Sequence, residues 1–86
     1  MKAFLLKISS PEGDLFCGNV AKLSVRGTEG DLAVMAGHIP FVSYVLPCDC
    51  KIELEDGSEK ICHIRGGVLT VAKNKVILLS GDLTWN

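Results

Sequence analysis

Apolar residues recur along this chain with a period of two, and no window of a dozen residues keeps the 3.6-residue spacing of an amphipathic helix. Successive side chains of an extended strand point to opposite faces, so such a chain buries one face only by forming sheet. The fold class this predicts is all-β. Phe4, Leu6 and Ile8 share one face of a first strand; after the Ser10-Pro11-Glu12-Gly13 turn, Ala21, Leu23 and Val25 alternate with Lys22, Ser24 and Arg26 in a second. Cys50, Ile52 and Leu54 alternate with Lys51, Glu53 and Glu55 up to Asp56-Gly57, a dipeptide suited to a type I′ hairpin turn, and Glu59 to Arg65 is the return strand. Val68 to Ala72 and Val76 to Leu79 flank Lys73-Asn74-Lys75 as a further hairpin. Phe41 to Leu46 differs, because Phe41, Ser43 and Val45 lie on one side, Val42, Tyr44 and Leu46 on the other, and both sides are largely apolar. A strand like that is either central or covered by something else. About eight short strands with turn signals about every ten residues point to a flattened sandwich or barrel.

With 86 residues the chain has room for one domain. A domain this small buries only roughly 60–65% of the surface its unfolded chain exposes. Yet 48% of the residues are apolar and the mean hydropathy is +0.32, so part of the apolar surface is expected to belong to a partner. A formal net charge of −1 and a pI near 6.0 leave no basic footprint, and nucleic acid is not expected as that partner. No apolar run approaches the roughly 18 residues of a membrane helix, which argues against direct membrane insertion. Met1 to Ile8 holds Lys7 and has no cleavage pattern after it, so it does not read as a signal peptide. The expectation is a soluble, unexported chain.

Of the four cysteines, Cys48 and Cys50 form a C-x-C, and with Cys62 and His63 they compose a conceivable zinc set, although the second pair is adjacent rather than spaced. Reduced thiols acting as small apolar residues are the plainer reading for these and for Cys17. Thr28 to Pro40, TEGDLAVMAGHIP, is densest in unusual residues and reads as a loop and short strand with functional potential. Glu29, Asp31 and His38 supply acid, base and imidazole there, but no Ser or Cys sits beside them at a motif-defined position, so no catalytic residue is assigned. Gly66-Gly67 belongs to neither G-x-x-x-x-G-K-S/T nor G-x-G-x-x-G and reads as close packing between strands. No cofactor is implied. Trp85 falls outside any alternating strand; it packs back on the sandwich, sits in an interface, or begins a further element.

In order along the chain, S-P-E-G-D-L-F-C-G (Ser10 to Gly18), the strand ending Val25-Arg26-Gly27, T-E-G-D-L-A-V-M-A-G-H-I-P (Thr28 to Pro40) and R-G-G-V-L-T-V-A-K-N-K-V (Arg65 to Val76) resemble the N-terminal domain of the epsilon subunit of F-type ATP synthase, called delta in mitochondria. The resemblance covers essentially the whole chain, and E-G-D-L followed by G-H-I-P is its specific part. Ala33 and Ala36 stand where that family often has Gly and Pro, Cys48 where it often has Gly, and Thr70 where an acid is common.

The resemblance implies a β-sandwich of about ten short strands at the foot of the central stalk. It implies a non-catalytic rotor subunit that couples rotation of the gamma subunit to the c-ring during proton- or sodium-driven ATP synthesis. The location implied is peripheral, on the cytoplasmic face of the bacterial plasma membrane. By position, Asp31 faces the polar loops of the c-ring while Ser10, His38 and Ser43 lie toward gamma. The strand reading adds Phe41, Val42 and Tyr44 to the gamma contact and Glu29 to the ring contact. The family usually carries a C-terminal helical hairpin. Residues 1–86 therefore read as a single sandwich domain whose residues 81–86 form a tail where that hairpin would begin, and without the helices no ATP binding is expected. The competing reading is a small cytosolic metal-binding β-module held by Cys48, Cys50, Cys62 and His63.

Overall fold

In the computed structural model, which describes residues 3–37, 39–73, 75–81 and 83–85, every regular element is a strand. They are β1 (Phe4–Ser10), β2 (Gly13–Gly27), β3 (Gly30–Met35), β4 (Phe41–Val45), β5 (Cys48–Leu54), β6 (Glu59–Ile64), β7 (Gly67–Ala72), β8 (Lys75–Leu79) and β9 (Leu83–Trp85). Among the described residues no helix is long and apolar enough to cross a membrane.

β2 is what makes two layers from one chain. Its first half pairs with β1 from Ser10↔Gly13 to Phe4↔Val20. Its second half has β3 on that same edge, from Lys22↔Met35 to Gly27↔Gly30, and β5 on the other, from Val20↔Leu54 to Ser24↔Lys51. Between the halves the register slips at Ala21, where Val20 and Ala21 are buried in succession. One extra residue bends a strand and sharpens its twist, and here it carries β2 from one sheet into the next. The first sheet runs β4-β7-β8-β1-β2 and the second β3-β2-β5-β6-β9. One strand serves both, and against the ten strands expected there are nine among the described residues. β4 meets β2 only at Gly27↔Val45, beside a hydrogen bond from Leu46 N–H to Arg26 O at 2.8 Å.

The inward faces form the core: Leu6, Ile8, Leu23, Ile52, Ile64, Leu69 and Leu78 are fully buried, each contributing about 1.5–3 kcal/mol by leaving water. Where β7 begins, Ser80 is buried, and its Oγ–H donates to Gly66 O at 2.9 Å while its N–H donates to Ser9 O at 2.9 Å. That knot ties β1, β7 and β8 together.

The β5–β6 hairpin does not close through a type I′ turn. Gly57 N–H donates to Leu54 O at 3.0 Å and Leu54 N–H donates to Ser58 O at 2.8 Å. The loop therefore has three residues, with Gly57 in the left-handed region at φ +89°, the arrangement that ends in a glycine bulge. Asp56 is used for something else: its carboxylate accepts Ser58 N–H at 2.9 Å and the Ser58 hydroxyl. Those bonds hold its pKa below the ordinary 3.8. A carboxyl lowered on folding stabilises the fold above its unfolded pKa and loses that contribution as the pH falls through the folded value. The thermal midpoint of Asp56→Asn should therefore lie below wild type at pH 7, and the gap should shrink through and below pH 3.8. An Asp56 carboxyl seen by NMR to titrate at or above 3.8 refutes this account.

Candidate interaction surfaces

Alternation assigns the residues of β4 to two faces. Phe41 and Ser43 turn inward and are half-buried; Phe41 packs on the core and Ser43 Oγ–H donates to Tyr44 O at 3.1 Å. Val42 and Tyr44 turn outward and are 68% and 70% exposed. Across the first sheet these two begin rows of laterally paired residues, Val42–Thr70–Ile77–Lys7 and Tyr44–Val68–Leu79–Ser9. Val68 and Ile77 are half-buried and Leu79 is half-exposed. Thr70, uncharged, sits in the middle of the first row, whose charge enters at Lys7, 3.6 Å from Asp14; Lys75, at the start of β8, is on the same face. This sheet therefore presents a broad apolar outer face, and the outer face of the second sheet is its opposite. Lys22, Ser24, Arg26, Asp49, Lys51, Glu53, Glu59 and His63 line a polar concavity there.

Ser43, Val42, Tyr44 and Phe41 form one wall of an open groove of about 560 Å³ whose other wall is Thr28, Glu29, Gly30, Asp31 and Leu32. The two sets of residues assigned from sequence to different partners thus line the same groove. Gly27, at its base, pairs with Gly30 on one side and Val45 on the other. Asp31 Oδ1 accepts Arg26 Nε–H at 3.3 Å. Ser10 is set apart from this group. It ends β1, where its Oγ–H donates to Gly13 O at 3.1 Å and accepts Glu12 N–H at 3.2 Å, three strand spacings or roughly 14 Å from β4. His38 lies outside the described residues.

The thiol set does not converge. Cys50 and Cys62 oppose each other on β5 and β6, both fully buried and free. The hydrogen bond from Cys62, then burial, pushes the Cys50 thiol far above its ordinary range, so the pair packs as small apolar groups. Cys48 Sγ accepts Arg26 N–H at 3.4 Å. His63, one residue beyond Cys62 on a strand, necessarily faces the other way and sits 3.1 Å from Asp49 on the outer surface. Among the described residues no group of three or more His, Cys, Asp or Glu side chains is placed to hold a metal ion. The metal-module reading is corrected by the same alternation that predicted the strands.

Trp85 is not outside the sheet. β9 pairs with β6 through Cys62↔Trp85 to Ile64↔Leu83, and the indole packs at 5.8 Å from the Phe16 ring with Lys60 Nζ 5.6 Å from its centroid. The residues that sequence reasoning missed are Val68, Ile77 and Leu79. Their signal is the unbroken apolar run Val76 to Leu79 in β8 and a run in β7 interrupted only by Thr70, which marks strands with both faces covered.

A family model described as the beta-sandwich domain of the ATP synthase delta/epsilon chain matches residues 3–86. In structure, the chain is similar to one in the cryo-EM structure of Euglena gracilis mitochondrial ATP synthase (OSCP, F1 and c-ring). The TM-score is 0.91 and the identity 24%, with 96% of this chain and 53% of that one covered. It is also similar to one in the central stalk and c-ring of Tetrahymena thermophila mitochondrial ATP synthase, with a TM-score of 0.74 and 17% identity over 92% of this chain and 63% of that one. The chain thus spans little more than half the length of these relatives.

Proposed function

Because the chain belongs to the ATP synthase delta/epsilon family through its β-sandwich domain, we propose that it is a central-stalk element. In that role it packs against the gamma subunit, rests on the polar loops of the c-ring, and transmits rotation without catalysing a reaction. The observation that carries this reading is the contrast between the two outer faces: an apolar sheet face begun by Val42 and Tyr44 is uncovered, while its counterpart is dressed in charges. Exposed apolar patches of this breadth on small proteins mark binding sites.

In this reading Val42, Tyr44, Val68 and Leu79 meet gamma directly, while Phe41 and Ser43 support them from the inner side. The family resemblance also assigns Ser10 and His38 to the gamma side, and Glu29 and Asp31 take basic groups of the ring loops. Residues 1–86 act as one sandwich domain, held peripherally at the membrane by the synthase it serves; the bacterial cytoplasmic face is the setting inferred from sequence. A close-packed sandwich suits the task, since interiors of crystal-like density resist deformation and pass force on. The test is co-purification: the chain expressed with the gamma subunit of its own synthase should elute as a stable complex. Elution of the two as separate species at micromolar concentration refutes the proposal.

A further inference from the structure

Arg26 and Asp31 are lateral partners in the β2–β3 ladder, so their side chains leave the sheet next to each other whenever that hairpin is formed. The Nε to Oδ1 distance is 3.3 Å, with the two side chains 62% and 85% exposed. Asp31 belongs at once to the groove facing β4 and to the polar concavity of the second sheet, whereas Arg26 lines only the concavity. Arg26 therefore approaches the carboxylate from the side away from Val42 and Tyr44.

We infer that Arg26 is an internal competitor for the docking groove: it occupies Asp31 in the free chain, and a cationic side chain of the partner must displace or share it. The inference rests on the proposed docking role of Glu29 and Asp31. The occupant it commits to is a c-ring loop segment that presents a guanidinium or ammonium group to Glu29 and Asp31. The acids Glu29 and Asp31 stand on one wall of the groove, across from the β4 wall assigned to gamma. The chain's own guanidinium on Asp31 displays the chemistry that wall accepts.

The pair is solvent-exposed, so its influence is small, screened by salt and readable. Binding is measured to the c-ring of the cognate synthase, carried in nanodiscs with gamma bound, for wild type, Arg26→Gln, Asp31→Asn and the double variant. Arg26→Gln is expected to bind about two- to five-fold tighter at low salt, with the gain gone at 1 M salt, where the screening length is about 3 Å. Asp31→Asn is expected to bind more weakly, and adding Arg26→Gln to it should restore nothing. If Arg26→Gln binds no tighter while Asp31→Asn binds more weakly, the competitor role is overturned and the docking role stands. If Asp31→Asn binds as well as wild type, the docking role of this turn falls, and the inference with it.

Discussion

Gly67→Ala should cost this domain about 3 kcal/mol, a fall of about 12–24 °C in its thermal midpoint. A Cβ on Gly67 would lie 2.0 Å from Leu79 O and 3.3 Å from Ser80 Cα. Both are backbone atoms of the neighbouring strand and its exit, so no side-chain rotation relieves the clash. The remedy is to draw β7 away from β8, which pulls apart the Val68↔Leu79 pairing and the Ser80 bonds to Gly66 and Ser9. Domains this size have about 4–13 kcal/mol in total, so a large share of the stability goes with one methyl group. Gly81→Ala is the control, because a Cβ there meets nothing within 4 Å, and its effect should stay within about 0.5 kcal/mol. A Gly67→Ala midpoint within about 3 °C of wild type would show that the two strands have slack that the geometry denies.

The second large effect is on binding. Tyr44 and Leu79 stand in the same outward row with Val68 between them, and both are more than half exposed. Truncation of a hot-spot residue costs about 2 kcal/mol or more, and a carboxylate driven into an apolar interface adds an unpaired charge to be desolvated. The Tyr44→Asp, Leu79→Asp double variant should therefore lose at least about 100-fold in affinity for gamma, measured by titration calorimetry, while its circular dichroism stays that of the wild type. Lys22→Ala, on the charged face of the other sheet, should change affinity less than about two-fold. Unchanged binding by the double variant, or loss of binding in Lys22→Ala, assigns the contact to a different face and sinks the proposal.

What could be read from the sequence was whatever is local. Period-two alternation is a property of neighbouring residues, so the all-β class and most strands were legible. The turn at Asp56-Gly57 was misread because a two-residue and a three-residue closure share the same dipeptide. The choice falls to the β5–β6 register and to the Asp56 carboxylate, which binds Ser58. β9 was invisible because three residues are too few to show a period, and it exists only because β6 offers it an edge. The same logic divides the candidate site. Val42 and Tyr44 can be proposed from β4 alone, whose two apolar sides announce a covered face. Val68 and Leu79 cannot, because they become neighbours of Tyr44 only through pairings between strands far apart in sequence. The zinc set could have been rejected on sequence alone, since Cys62 and His63 are consecutive in an alternating strand and must diverge.

The parallel pairing of β1 with β8, from Leu5↔Lys75 to Ser9↔Leu79, has a consequence for how the chain is made. β1 emerges first during synthesis, and β2 can zip onto one of its edges at once. Its other edge waits for β8, which follows after six intervening strands. Until Leu79 has left the ribosome the first sheet lacks its middle, and the apolar faces of β1 and β2 have no layer beneath them. Closing so long a span before its contacts are gained makes folding slow and leaves partly made chains prone to aggregation. The domain should therefore be a late, all-at-once folder on the ribosome, dependent in that interval on whatever shields exposed strands.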